Sequence, residues 1–580
     1  MGTPGPTASR RPVRAPTQEG APRRSALGHA FRLGAVLLGA LALVVTGLSW
    51  GIPSRERARF YFEDPILAAR EDPHSLALKS YHPDEPIVFM VLNRMRPAEL
   101  DFNPRSFQYP TLYFYSVGAT LQLARWLDAI TLTNSKEFYF RDPDEIGRLY
   151  LVARMTTATF ALMTLLACYG LAREGYDRRV ALLATLFLAV FPLFVVHSHY
   201  ATVDVPVTFW ITASLGVALA AIQTGRRRWY ALSGLAAGLA TATKYYGGVA
   251  VVPLLVGHAL RGRAPRSTIV TAIALVPVGF LLGCPYAALA PRDFLNGLYV
   301  ILDAQLIGQE AYEDIYGHFA WPFFYHLYLS LPHGMGLALL GLGLAGCVWA
   351  ARRRTSADVV LLAFVVAYYG LIGVSFLRPM RYAMPLLPPL AVLAARLALD
   401  VRARFHDRGW GFAARGWTAA VVCAAAFSLF VSIAYVRLMV SPDPRDEAAV
   451  WLAEHAPAGA RIGLIFPPTY RTPPLDSRRY DLRVVGFDRE TVARDAPDYV
   501  VMSEIETRDY LRAIDRYPSE GAFVRDLLSG RFTAGGAPYR VFRFQRHPEF
   551  LGWDLKPALA PHDALYVSPD VYVLGREARP

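Results

Sequence analysis

Apolar stretches of membrane-spanning length, punctuated by short basic clusters, constrain this chain more than any other feature. They fall near residues 31–50, 151–172, 180–196, 205–222, 231–243, 246–260, 268–283, 333–351, 358–376, 383–399 and 417–436. Of the 580 residues, 54% are hydrophobic and 18% are charged, whereas soluble domains carry about 25% charged residues. The pattern predicts a mainly α, polytopic membrane protein with about 11 transmembrane helices. A net charge of +13 would suit nucleic acid, but the cations sit between spans, as in Arg226-Arg227-Arg228 and Arg352-Arg353-Arg354. That distribution is the positive-inside pattern, and no nucleic-acid partner is expected.

The basic residues also set the orientation. Arg173, Arg178 and Arg179, the 226–228 run, Arg261, Arg263 and Arg266, the 352–354 run, and Arg402, Arg404, Arg408 and Arg415 all fall on one side when the N terminus is cytoplasmic. Two segments are decided by this reasoning. Residues 109–127 are apolar enough to span, yet a span there inverts everything downstream. Gln122 and Arg125 suit an amphipathic helix on the outer membrane surface instead. Residues 231–260 have basic clusters on both sides, so a hairpin of two short helices is expected, turning at 243–248.

Residues 1–30, rich in Pro, Gly, Ser, Ala and Arg, are expected to form a disordered cytoplasmic tail before an uncleaved first helix. The transmembrane unit then covers 31–436, with external loops at 51–150 and 284–332. Residues 440–580 are polar. They combine a helical pattern at 445–455 with short apolar runs at 461–466, 499–502, 539–544 and 571–574, which predicts a small external α/β domain. Cys168, Cys284, Cys347 and Cys423 contain no CxxC pair and read as small core residues.

The chemistry-bearing residues collect on the predicted external face. His82, Asp84 and Glu85 lie in Tyr81-His82-Pro83-Asp84-Glu85-Pro86, a turn stiffened by two prolines. Tyr109, His197, His199, Asp204, Lys244, Arg378 and Arg381 join them at external helix ends. Simpler roles stand beside the functional ones. Asp84 or Glu85 suits capping of a helix beginning at Pro86, Asp204 suits capping of its span, and Lys244 suits snorkelling to head groups. His197 and His199 also have the spacing of a metal pair. Arg378 and Arg381 are external cations in a chain whose other arginine clusters are internal, and guanidinium forks match phosphate oxygens. An aspartate beside such cations suits transfer from a lipid phosphate. The carboxylate deprotonates an acceptor hydroxyl, an effect worth about 10²–10⁴-fold. The cations stabilise the departing phosphate, and the lipid tail stays in the bilayer.

In their order along the chain these motifs resemble the GT-C membrane glycosyltransferases, specifically the family 39 group that includes protein O-mannosyltransferases and aminoarabinose-to-lipid-A transferases. The resemblance rests on His82-Pro83-Asp84-Glu85, Tyr109-Pro110-Thr111-Leu112-Tyr113, Arg154, Asp204, the block from Gly234 through Lys244 to Tyr245, and Arg381-Tyr382-Ala383-Met384-Pro385. It covers about residues 30–400. It implies a GT-C-type helical bundle in the plasma (inner) membrane of a bacterial cell envelope. It also implies transfer of a sugar from a polyprenyl-phosphate-linked donor on the non-cytoplasmic face, usually with inversion. By motif position, Asp84 is the implied base with Glu85 beside it, Asp204 is the second acid, and Lys244 and Arg381 are donor-phosphate contacts. Aminoarabinose transferases often carry Lys-Pro-Pro-Leu where this chain has Tyr109-Pro110-Thr111-Leu112, so their substrate is not carried over. The acceptor stays open between glycan, lipid and protein.

Other classes remain in view. A lipid or sugar transporter would favour ionisable residues near the bilayer midplane and repeated halves. An assembly or sensor protein would work through 440–580. No cofactor beyond the donor is implied with certainty, and a divalent cation held by Asp84, Glu85 and Asp204 is the metal-assisted version of the same site.

Overall fold

The computed structural model describes residues 22–71, 76–261, 264–306, 322–512, 514–557 and 559–577. Each predicted apolar stretch is largely helical. Among the described residues, however, seven helices are long and apolar enough to cross a membrane, or eight if the pair 323–335 and 337–353, bent by 119°, is one span. Eleven spans are therefore not established. The helices Arg178–Val190, Arg227–Thr243 and Val251–Arg261 have 13, 17 and 11 residues, because basic ends and chain breaks shorten them. The protein is a multi-pass, mainly helical membrane protein.

The first helix spans Pro22–Val45 and so begins before the expected start at residue 31. Proline is well tolerated in a helix's first turn, and no second proline follows before Val45. Residues 22–30 are therefore helical rather than part of a disordered tail, and the remainder of that predicted tail, 1–21, lies outside the described residues. The segment read as a surface helix forms Leu112–Trp126. It buries Tyr113, Phe114, Val117 and Leu121 while exposing Leu123 and Trp126. Tyr113 and Thr120 hydrogen-bond to Thr157 and Thr156 of the helix Pro143–Gly175 at 2.7 Å each.

The glycines of the 234–245 block have a packing reason. A Cβ on Gly234 would sit 2.0 Å from Ala272 O, one on Gly238 2.2 Å from Val276 O, and one on Gly279 2.4 Å from Leu235 O. Small residues let the helices Arg227–Thr243 and Arg266–Gly283 approach backbone to backbone. The chain then breaks at Lys244, in extended conformation, and a 3₁₀ segment, Tyr245–Ala250, folds back on the helix it leaves. A Cβ on Gly247 would meet Ala240 O at 2.4 Å.

Beyond the helix Gly411–Met439 the chain forms the helix Pro444–His455 and then, among the described residues, eight strands. These are β1 (Arg461–Leu464), β2 (Asp481–Val484), β3 (Tyr499–Ser503), β4 (Thr533–Ala534), β5 (Ala537–Phe544), β6 (Glu549–Phe550), β7 (Trp553–Asp554) and β8 (Val571–Arg576). Six make one sheet in the order β2-β1-β3-β8-β5-β4, and β6–β7 is a separate hairpin. β1 pairs parallel with β2 and β3, whereas β8 runs antiparallel between β3 and β5. The four apolar runs of the sequence are the four central strands. β2, with its mostly exposed Asp-Leu-Arg-Val, is an edge that carries no such apolar signal.

Candidate active site

The acidic pair at 84–85 is split by the fold. Pro86 is the second residue of the helix Glu85–Leu92, and Asp84 occupies the N-cap position without a side-chain capping bond. Glu85 is fully buried and meets Arg154 in a two-point ion pair, Nε to Oε1 at 2.8 Å and Nη2 to Oε2 at 2.7 Å. Arg154 also donates to the carbonyls of Leu48 and Trp50, and Glu85 Oε1 accepts the Ala201 amide. Burial opposes charge on Glu85, but Arg154 outweighs it and holds the carboxyl below its usual range. Glu85 therefore pins the first loop, the helix Pro143–Gly175 and the 198–203 turn together.

Asp84 turns the other way. Its Oδ2 accepts Arg381 Nη2 at 2.7 Å, and 21% of its side chain remains exposed. Arg381 lies in the 3₁₀ segment Met380–Leu386, and its Nε stands 3.7 Å from Asp204 Oδ2. Asp204, the first residue of the helix Asp204–Thr224, does not cap that helix. Its Oδ1 accepts Lys244 Nζ at 2.8 Å and lies 3.4 Å from the Tyr246 hydroxyl. Lys244 is 5% exposed, with the rings of Tyr382, Tyr246 and Tyr109 at 4.4, 4.8 and 5.6 Å. It is a buried ion-pair partner in an aromatic cage rather than a snorkelling lysine.

A third carboxylate comes from the C-terminal region, where no sequence motif marks it. Asp563, in the 3₁₀ turn His562–Leu565, accepts the backbone amides of Met380 and Arg381 at 3.0 and 3.1 Å and stands 3.5 Å from Arg381 Nη1. Among the described residues, Arg381 Nε and Nη1 make no hydrogen bond, so these two buried donors face carboxylates only at ion-pair distance. Asp84, Tyr109, Thr202 and Asp204 line a small cleft together with Ile87, Val88 and Phe114.

The other candidates lie apart from this cluster or touch it indirectly. His82 is buried and accepts the Asp84 amide at Nδ1 (3.3 Å) between the Tyr200 and Tyr566 rings. Burial lowers its pKa, against the pull of Asp84 and Glu85. His199 sets its ring nitrogens against the carbonyls of Val195 and Thr46, 2.8 and 3.0 Å away. Arg378 donates to the Ser375 carbonyl. The carboxylates do not fit a shared cation. Glu85 is committed to Arg154, while Asp84 and Asp204 face Arg381 and Lys244, and among the described residues no three His, Cys, Asp or Glu side chains form a metal-binding group.

The model of the dolichyl-phosphate-mannose-protein mannosyltransferase family matches residues 146–286. The undecaprenyl phosphate-alpha-4-amino-4-deoxy-L-arabinose arabinosyl transferase 2 of Proteus mirabilis is 26% identical over 292 residues, 45% of this chain and 48% of that protein. The corresponding Yersinia pestis transferase is 25% identical over 343 residues, 56% of this chain and 58% of that protein. The chain thus matches about half the length of these curated relatives. Among solved structures, ArnT from Cupriavidus metallidurans bound to undecaprenyl phosphate has a TM-score of 0.43 at 13% identity, covering 94% of this chain and 98% of its own. The oligosaccharyltransferase AglB of Archaeoglobus fulgidus has a TM-score of 0.47 at 14% identity, covering 87% and 73%. In sequence the chain is thus similar, over about half its length, to these arabinosyl transferases and, over residues 146–286, to the mannosyltransferase family model.

Proposed function

We propose that the protein is an integral membrane glycosyltransferase that moves a sugar from a polyprenyl-phosphate-linked donor to an acceptor hydroxyl on the non-cytoplasmic face. The observation that carries this reading is the Asp84–Arg381 pair at 2.7 Å beside the cleft. It sets a carboxylate next to a guanidinium with two unsatisfied donors. The named relatives act with undecaprenyl-phosphate-linked aminoarabinose, which supports a lipid-phosphate donor here.

In this reading Asp84 takes the proton from the acceptor hydroxyl, and the acceptor oxygen attacks the anomeric carbon. The bond from that carbon to the phosphate oxygen breaks, and its electron pair leaves with the polyprenyl phosphate. Arg381 offers Nε and Nη1 to that phosphate, and Lys244 adds a second positive charge held in place by Asp204. Removing one such stabilising donor typically costs about 10²–10³-fold in turnover. Glu85 serves by position only, through Arg154. Tyr109 walls the cleft and, with Tyr246 and Tyr382, keeps Lys244 out of water.

The test is mass spectrometry of envelope glycolipids and glycans from a strain lacking this gene and from one restored with it. A sugar-modified species absent from the first and regained in the second supports transfer. Identical profiles, together with export of an unmodified lipid that depends on the gene, would support transport instead.

A further inference from the structure

The β6–β7 hairpin departs from what a water-exposed turn requires. Phe550 pairs with Trp553 across it, and the two turn residues, Leu551 and Gly552, both have positive φ, +51° and +82°. Tight hairpin turns of this kind favour Asn, Asp or Gly at both places, and leucine is strained there. Yet the turn displays Leu551 at 83% exposure and Trp553 at 76%. The hairpin's base is the opposite in character. His547 lies between Asp554 (2.7 Å) and Asp570 (3.0 Å), and Lys556 bridges Glu504 and Asp570 at 2.6 and 2.8 Å, which ties the base to the main sheet.

The depth of the apolar tip can be read from the helix it touches. Phe550 stacks on Phe430 of the helix Gly411–Met439, with ring centroids 4.3 Å apart and planes at 12°. Between Arg415 and Arg437 that helix carries no charged residue, a length of roughly 30 Å at about 1.5 Å per residue, which matches the hydrocarbon thickness of a bilayer. Phe430 lies about 10 Å along the axis inside Arg437. Phe427 and Ile433 on the same helix are also exposed. The hairpin tip therefore stands beside the charge-free stretch of that helix.

We propose that the β6–β7 hairpin is a membrane anchor of the C-terminal domain, with Phe550, Leu551 and Trp553 among the phospholipid acyl chains beside the helix Gly411–Met439. The anchor fixes the domain that carries Asp563 against the membrane-embedded helices. It goes beyond the proposed transfer reaction and does not depend on it.

Nitroxide accessibility in lipid nanodiscs of phosphatidylethanolamine and phosphatidylglycerol tests it. The label is placed at Leu551→Cys in full-length protein whose Cys347 and Cys423 are replaced by alanine, with Val484→Cys on edge strand β2 as the aqueous reference. The expected result is that molecular oxygen relaxes the 551 label several-fold more than a water-soluble nickel chelate does, with the reverse at 484. Equal nickel access at both positions overturns the proposal. So does a 551 label shielded from both reagents, which would mark a protein partner or a second copy. Trp553→Cys gives the same readout should the Leu551 variant not fold.

Discussion

Asp84 and Arg381, 297 residues apart in sequence, meet at 2.7 Å in the structure. The carboxylate comes from a proline-bounded turn and the guanidinium from a 3₁₀ segment that Asp563 holds by its backbone. Three distant parts of the chain must therefore be in place before the pair exists, and the following predictions probe how each is held.

Glu85 and Arg154 form the fully buried strut beneath the turn. Removing one partner of such a pair leaves an uncompensated buried charge, at a cost of about 3–5 kcal/mol. Arg154→Met is expected to lower the thermal midpoint of the detergent-solubilised protein strongly. An unchanged midpoint would contradict the strut.

The same pair gives a pH dependence. Glu85 titrates below its ordinary range when folded, burial being outweighed by Arg154, whereas the unfolded carboxyl titrates near 4.3. The unfolded state thus binds the proton more readily. The pair's stabilisation is fully present above the unfolded pKa and is lost as pH falls through the lower folded value. Thermal midpoints measured from pH 7 down to 3 should show this loss in the parent protein, and Glu85→Gln should lack that component.

Gly238→Ala should destabilise by about 1–3 kcal/mol, as overpacking does, since its Cβ would meet Val276 O at 2.2 Å. Gly170→Ala on the helix Pro143–Gly175 has nothing within 4 Å and should be neutral or slightly stabilising. Denaturation of the two variants side by side checks the contrast.

Asp563→Ala leaves the Met380 and Arg381 amides without their acceptor. Each unsatisfied buried group costs about 1–3 kcal/mol, and Arg381 loses its fixed position. On the proposed function, glycolipid modification should fall by about one to two orders of magnitude at normal protein level, the effect acting through the placement of Arg381. Full activity of Asp563→Ala in the restored strain would remove Asp563 from the account.

Much of the scaffold was legible because its signals are local. Charge-free apolar runs marked the helices, and 461–466, 499–502, 539–544 and 571–574 marked the central strands. The basic clusters and Lys244 correctly located the break after Thr243. The number of spans was not legible, because the helices Arg178–Val190 and Val251–Arg261 are shorter than the apolar pattern around them suggests. Within the site, Asp84, Asp204, Lys244 and Arg381 were all singled out as ionisable residues at helix ends, and the fold joins them. Asp563 was missed because it sits in Pro561-His562-Asp563-Ala564, an ordinary turn whose meaning comes only from its contact with residue 381. Glu85 differs from Asp84 for a similar reason. Adjacent carboxylates look alike in sequence, and only Arg154, buried 69 residues away along the chain, separates their roles.

The central claim is that the Asp84 carboxylate removes the acceptor proton. The most direct measurement is the amount of sugar-modified envelope species restored by Asp84→Asn in the deletion strain, at matched membrane protein levels. Loss of at least about two orders of magnitude, the scale of general-base catalysis, is the predicted result, with undecaprenyl phosphate still bound by the purified variant. Near-normal modification by Asp84→Asn would contradict it.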